Sequence, residues 1–155
     1  MIEARFGHVN LIARDWRRLA DFYGRVFGMA VVPPERDYSG PELAAGTGVP
    51  GAALRGVHLR LPGLALDVGP TLEIYEYASE PPALPSAANR PGFGHIAFAV
   101  ADVSAARSVF LAEGGGVVGE VITSTVADGR RVTWAYVTDP EGNIVELQSW
   151  SAQAP

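Results

Sequence analysis

The sequence predicts an α+β fold: two βαβββ modules forming a cupped mixed sheet, with the helices on its convex side. Three observations predict it. Phe6-Gly7-His8-Val9 recurs as Phe93-Gly94-His95-Ile96, an offset of 87 (8 to 95). Leu72-Glu73-Ile74 recurs as Val145-Glu146-Leu147, an offset of 73 (73 to 146). Asp15 and Gly28, which frame a helical pattern, recur as Asp102 and Gly115 at the first offset. The repeat therefore covers a whole strand-helix unit. One copy has a single apolar sheet face and one helix, too little to close a core, and two copies solve that problem. We expect one domain over residues 1–155, with module 1 at about 1–78, a linker at 78–92 and module 2 at 92–151.

Residues 4–12 alternate and read as the first strand. Asp15 is a plausible N-cap. Beyond it Trp16, Leu19, Phe22, Tyr23, Val26 and Phe27 recur at helical spacing, and Gly28 stands where a C-terminal glycine belongs. In the second copy Asp102 caps a helix with Val103, Ala106, Val109 and Phe110 on one face, ended by Gly114-Gly115-Gly116. Strand-like segments follow each helix, at 29–32, 54–61 and 71–77 in module 1 and at 117–122, 130–138 and 143–150 in module 2. Asp139-Pro140-Glu141-Gly142-Asn143 makes a tight turn between the last two. The fall of the offset from 87 to 73 puts 14 extra residues in module 1, which we assign to the Pro- and Gly-dense segment 33–53. A short helical turn at 41–45 is expected there, either as a lid or as a solvated excursion. The 78–92 segment is rich in Pro, Ser and Ala, as a linker should be.

Composition narrows the function classes. No apolar run approaches the 18 or so residues of a membrane span. The chain has no cysteines, so disulfides and thiolate ligands are excluded. Its net charge of −5, without a dense basic cluster, argues against nucleic acid. Met1-Ile2-Glu3-Ala4-Arg5 lacks the pattern of a signal peptide, and a cytoplasmic location is the expectation.

Strand alternation decides where the repeated polar residues point. With Val9 and Leu11 toward the helix, His8 and Asn10 face the other way. The same parity turns His95 away from Ile96, Glu73, Tyr75 and Tyr77 away from Leu72 and Ile74, and Glu146 and Gln148 away from Val145 and Leu147. A carboxylate on the inner face of an apolar sheet is costly unless it is paired or ligates a metal. Pairing with Arg60 or Arg90 would also answer one glutamate. Two histidines and two glutamates at equivalent repeat positions are most simply explained by a shared cation. His58 finds no histidine in 131–134, where its counterpart is expected, and reads as a substrate-facing or surface group.

The segments "GHVNLIARDWRRLADFYGRVFGM", "TLEIYEY", "RPGFGHIAFAVADV" and "VTDPEGNIVELQSW" resemble the vicinal oxygen chelate superfamily over nearly the whole chain. That superfamily includes lactoylglutathione lyase, methylmalonyl-CoA epimerase, extradiol dioxygenases, and fosfomycin and bleomycin resistance proteins. The resemblance implies paired modules around a metal held by His8, Glu73, His95 and Glu146. The complete two-His, two-Glu set resembles the lyase and epimerase branches. Ile12 stands where bacterial lactoylglutathione lyases carry an arginine, and Tyr77 where they carry an asparagine, so groups for glutathione carboxylates are missing. Family members form dimers, and the chain is expected to be a homodimer, with its modules pairing within one chain or across two.

Two imidazoles and two carboxylates suit one divalent ion with open positions for neighbouring substrate oxygens; Zn, Ni, Co, Mn, Fe and Mg all fit the donors. The expected activity is that of a glyoxalase-like lyase, isomerase or epimerase moving a proton next to a carbonyl of a small substrate. Glu146 first, and Glu73 second, would carry the proton. Asn10, Tyr75, Tyr77, Gln148, Arg60 and His58 are candidate substrate contacts, and Trp134 or Tyr136 a candidate apolar wall. The alternatives are a ring-cleaving dioxygenase with Fe(II) or Mn(II), and a drug-sequestering protein without turnover.

Overall fold

The structure is a computed structural model describing residues 1–63, 69–82 and 84–151. The chain divides into two compact units, Met1–Pro82 and Ala83–Pro155, with the boundary inside the expected linker. Among the described residues there are three helices and nine strands, in two mixed sheets, so the α+β class holds.

The first unit runs β1 (His8–Ile12), α1 (Trp16–Phe27), β2 (Val31–Ser39), α2 (Pro41–Thr47), β3 (Ala53–Arg60) and β4 (Thr71–Tyr77). Its sheet is ordered β1-β4-β3-β2, with β1 parallel to β4 and the other pairs antiparallel. Asp15 starts α1 by accepting a hydrogen bond from the Arg18 amide at 3.0 Å. Gly28 ends it at φ 67°, a left-handed conformation that side-chain-bearing residues rarely adopt. Trp16, Leu19, Ala20, Phe22 and Tyr23 make one buried stripe, and α1 packs on β3 and β4. There it meets Val57, Leu59, Leu72 and Ile74, all within a few percent of complete burial. Each such side chain contributes roughly 1.5–3 kcal/mol.

The second unit runs β5 (Ile96–Ala99), α3 (Val103–Ala112), β6 (Gly116–Val117), β7 (Ile122–Thr125), β8 (Arg131–Thr138) and β9 (Ile144–Ser151). The order is β5-β9-β8-β6, with β7 also on β8, and β5 runs parallel to β9. Asp102 caps α3 through the Ala105 amide at 3.0 Å. Between β8 and β9 the buried Asp139 carboxylate accepts from the Glu141 and Asn143 amides and from Asn143 Nδ2, each at 2.9 Å. That turn fixes where β9 begins.

Several expectations are corrected. The first strand starts at His8, not at residue 4. Residues 33–53 are not one loop: β2 continues to Ser39 and α2 occupies seven residues. The single strand expected at 117–122 is two pieces, β6 and β7. Both units interrupt this strand at the same place. β2 shifts register between Val32 and Arg36, and the break between β6 and β7 falls opposite the corresponding residues of β8. Hydrogen bonds to a neighbour, which hydropathy does not encode, thus extend one segment and split the other. Val109, expected on the buried face of α3, is 46% exposed. Its counterpart Phe22 is fully buried, so the second helix buries a narrower stripe than the first.

The fourteen extra residues also divide differently. Register pairs His58 with Glu73 on β3 and β4, and Tyr136 with Glu146 on β8 and β9. The offset is therefore 87 through the helix, 78 at His58 and Tyr136, and 73 at the glutamates. Nine extra residues precede β3 and five lie between β3 and β4. The counterpart of His58 is accordingly Tyr136, not a residue of 131–134.

Candidate metal and substrate site

In the first unit Glu73 lies on the face of β4 turned away from α1. Leu72 and Ile74, its neighbours, are fully buried against the helix side, as the alternation requires. Only 13% of the Glu73 side chain is exposed. Its Oε1 is 3.4 Å from His8 Nδ1 and 3.3 Å from His58 Nε2. His58 Nε2 also stands 2.8 Å from the Tyr75 hydroxyl, and the two rings meet edge to face. The carboxylate thus has an imidazole on each neighbouring strand, β1 and β3. Asn10, on the His8 face, donates from Nδ2 to the Glu73 carbonyl at 3.4 Å.

In the second unit Glu146 is the equivalent, with 17% of its side chain exposed. Its Oε2 is 2.8 Å from His95 Nε2. His95 immediately precedes β5, and the Tyr136 ring tilts against it at 5.0 Å between centroids. The Trp134 ring tilts against Tyr136, with 5.0 Å between centroids. Trp134 and Tyr136 pair across the ladder with Gln148 and Glu146, so both aromatics belong to the ligand face and neither packs beneath α3. Gln148 accepts from Trp150 Nε1 at 2.7 Å.

The environment biases several of these groups. Burial draws the His58 imidazole below its ordinary value; Glu73 opposes this, while Arg36 and His8 reinforce it. Burial, aided by the Glu73 charge, pushes the Tyr75 phenol up to about 12. Tyr136 is also raised, by burial first and then by Glu146.

The sequence-predicted residues therefore assemble as two sets. His8, Asn10, His58, Glu73, Tyr75 and Tyr77 share a face of the first sheet. His95, Glu146 and Gln148 belong to the second unit. Glu73 meets His8 and His58. Among the described residues no group of three or more His, Cys, Asp or Glu is arranged to hold a metal ion. The first unit supplies a carboxylate between two imidazoles, and the second an imidazole–carboxylate pair.

Sequence reasoning missed Arg36. It lies on β2 opposite Gly56, which in turn lies opposite Tyr75. A side chain at Gly56 would collide with the Ile74 carbonyl and come within 2.6 Å of the Tyr75 ring. This bare position is what lets Tyr75 lean across β3 toward His58. The signal was accessible only through the hairpin register.

A family model for the Glyoxalase/Bleomycin resistance protein/Dioxygenase superfamily matches residues 5–147. The chain belongs to that superfamily. Its fold recurs in a glyoxalase family protein from Bacillus cereus, 17% identical, with 98% of this chain and 97% of that one covered at a TM-score of 0.77. A glyoxalase/bleomycin resistance protein from Albidiferax ferrireducens is 19% identical over 93% and 98% of the two chains, with a TM-score of 0.58. A glyoxalase/bleomycin resistance protein/dioxygenase family enzyme from Burkholderia phytofirmans is 17% identical over 94% and 98%, with a TM-score of 0.57. At these identities the likeness shows the fold alone. No curated protein matches the chain. Among the described residues no helix is long and apolar enough to cross a membrane.

Proposed function

We propose that this superfamily member is a divalent-metal-dependent lyase or isomerase that moves a proton next to a carbonyl of a small oxygenated substrate. The observation that supports the reading is the repetition of one chemical unit: a largely buried glutamate against an imidazole, at equivalent strand positions of both sheets. A pair offers two donors, and a hard or borderline divalent ion takes four to six. His8, Glu73, His95 and Glu146, from one chain or from two, would together hold it. The donor set fits, because two neutral imidazoles and two carboxylates neutralise a dication and leave the acidic side chains compensated.

When bound, such an ion polarises a substrate carbonyl and lowers the acidity barrier of the adjacent C–H. The protein's part is the proton. Glu146 holds it at Oε2, with His95 Nε2 at 2.8 Å to steady the carboxylate before and after transfer. Tyr136 lies against His95 and Trp134 against Tyr136, giving this side of the proposed site an aromatic wall. On the other glutamate, His58 and Tyr75 orient Oε1 of Glu73 through the contacts at 3.3 and 2.8 Å.

The test is solvent deuterium incorporation into α-hydroxy ketones and acyl thioesters by protein loaded with Mn(II), Zn(II), Ni(II) or Co(II). We expect exchange in at least one substrate class, and a fall of about 100-fold or more in Glu146→Gln. Oxygen consumption with catechols and no exchange would reject the reading.

A further inference from the structure

We propose that Arg36 anchors a substrate carboxylate, making the substrate a short-chain acid that carries its vicinal oxygens one small carbon chain away from that group. The inference rests on the functional reading above and adds the polar end of the molecule to it.

Three observations carry it. The first is placement. Ladder register puts Arg36 opposite Gly56, Gly56 opposite Tyr75, and His58 opposite Glu73, all on the sheet face turned from α1. Two strand spacings separate β2 from β4, roughly 10 Å laterally, and an arginine spans much of that distance.

The second is an unmet hydrogen bond. Arg36 is half-buried, and its Nη1 is buried with no hydrogen-bond partner. A buried donor on a permanent cation is costly to leave unanswered. Neighbouring Glu35 and Asp37 belong to the opposite face, where they pair with Arg17 and Arg55. An incoming carboxylate would satisfy the fork, whose planar geometry suits two parallel bonds.

The third is an asymmetry between the repeats. The counterpart of Arg36 in the second unit is Ile122, by its place opposite Trp134. The counterparts of Gly56, His58 and Tyr75 are Trp134, Tyr136 and Gln148. The glutamate recurs, but its surroundings are cationic and hydroxylic in one unit and aromatic in the other. A cationic side chain thus stands beside the glutamate of the first unit and has no counterpart beside that of the second.

The test uses two hydroxamates that share a pair of neighbouring oxygens: acetohydroxamate, with a neutral tail, and succinic monohydroxamate, with a carboxylate tail. Calorimetric titration of Mn(II)-loaded protein should show the acidic probe binding at least 10-fold tighter. Arg36→Gln should abolish that preference while leaving acetohydroxamate and Mn(II) affinity unchanged, and Arg36→Lys should restore part of it. Equal binding of the two probes to the wild type, or parallel loss of both in Arg36→Gln, overturns the proposal. A phosphonate-tailed probe that outbinds the carboxylate would overturn the assignment of the anion. If wild-type protein takes up no Mn(II), the metal reading fails separately. Succinate titrated into the metal-free wild type and Arg36→Gln then decides the role of Arg36: binding that needs the arginine supports it, and indifference to the arginine refutes it.

Discussion

Tyr75 sits where burial and a carboxylate act in the same direction on a phenol, holding its folded value at about 12. The ordinary value near 10 describes the unfolded chain. Folding therefore favours the neutral phenol. That contribution is complete below about pH 10 and is lost as pH rises toward 12. Phenolate absorbance should show a step near pH 12 from Tyr75 beside a delayed Tyr136, and Tyr75→Phe should remove the step near 12 alone. A step there that survives the substitution would reassign it. At this scale the sequence was readable wherever strand parity suffices: His8, Glu73 and Glu146 point as alternation dictates. It was silent on Arg36 and misplaced the counterpart of His58. Both depend on which residues face each other across hairpins, and hairpin lengths changed between the repeats.

Elements carry a different set of consequences. α1 and α3 begin with the same device, an aspartate accepting from the amide three residues on. Asp15→Ala and Asp102→Ala should each cost about 1 kcal/mol, read as a lowered denaturation midpoint. The β3–β4 pair is less forgiving. Gly56→Ala places a methyl group against the Ile74 carbonyl, which is backbone and cannot swing aside. We expect a loss of about 1–3 kcal/mol and a displaced Tyr75 ring, visible as a changed phenol titration. No loss of stability would show that the strands can separate locally. The starts of α1 and α3 and the end of α1 at Gly28 were legible to the residue because caps are local chemistry, whereas α3 stops at Ala112, before the glycines expected to end it. The broken strand was not, since a mid-strand register shift is decided by the neighbouring strand and leaves no mark in hydropathy.

For the molecule as a whole, the repeat is the feature most plainly written in the chain, and it led directly to the α+β class and the two modules. The fate of the fourteen extra residues was not legible, because a total offset does not say how many loops share it. The proposed resident ion makes one prediction at this scale. Ligand binding to the folded state alone stabilises it by about 2.7 kcal/mol when the free ion stands at 100 times its Kd. Removing the ion with a chelator should then lower the midpoint of thermal unfolding, and restoring it should reverse the change. His8→Ala and Glu146→Gln should each blunt the response. A midpoint indifferent to chelator would count against any bound dication.

In the proposed site the ladder also separates two jobs that are commonly entangled. Glutamates occupy one rung of each sheet, facing His58 and Tyr136. The next rung on that face holds Gly56 with Tyr75 in one sheet and Trp134 with Gln148 in the other. Mutational drift on the second rung can remodel what the protein accepts while the first rung keeps its donors. Substitutions at Trp134 and Gln148 become the direct route to altered selectivity, whereas position 56 stays bare because any side chain there meets the Ile74 carbonyl.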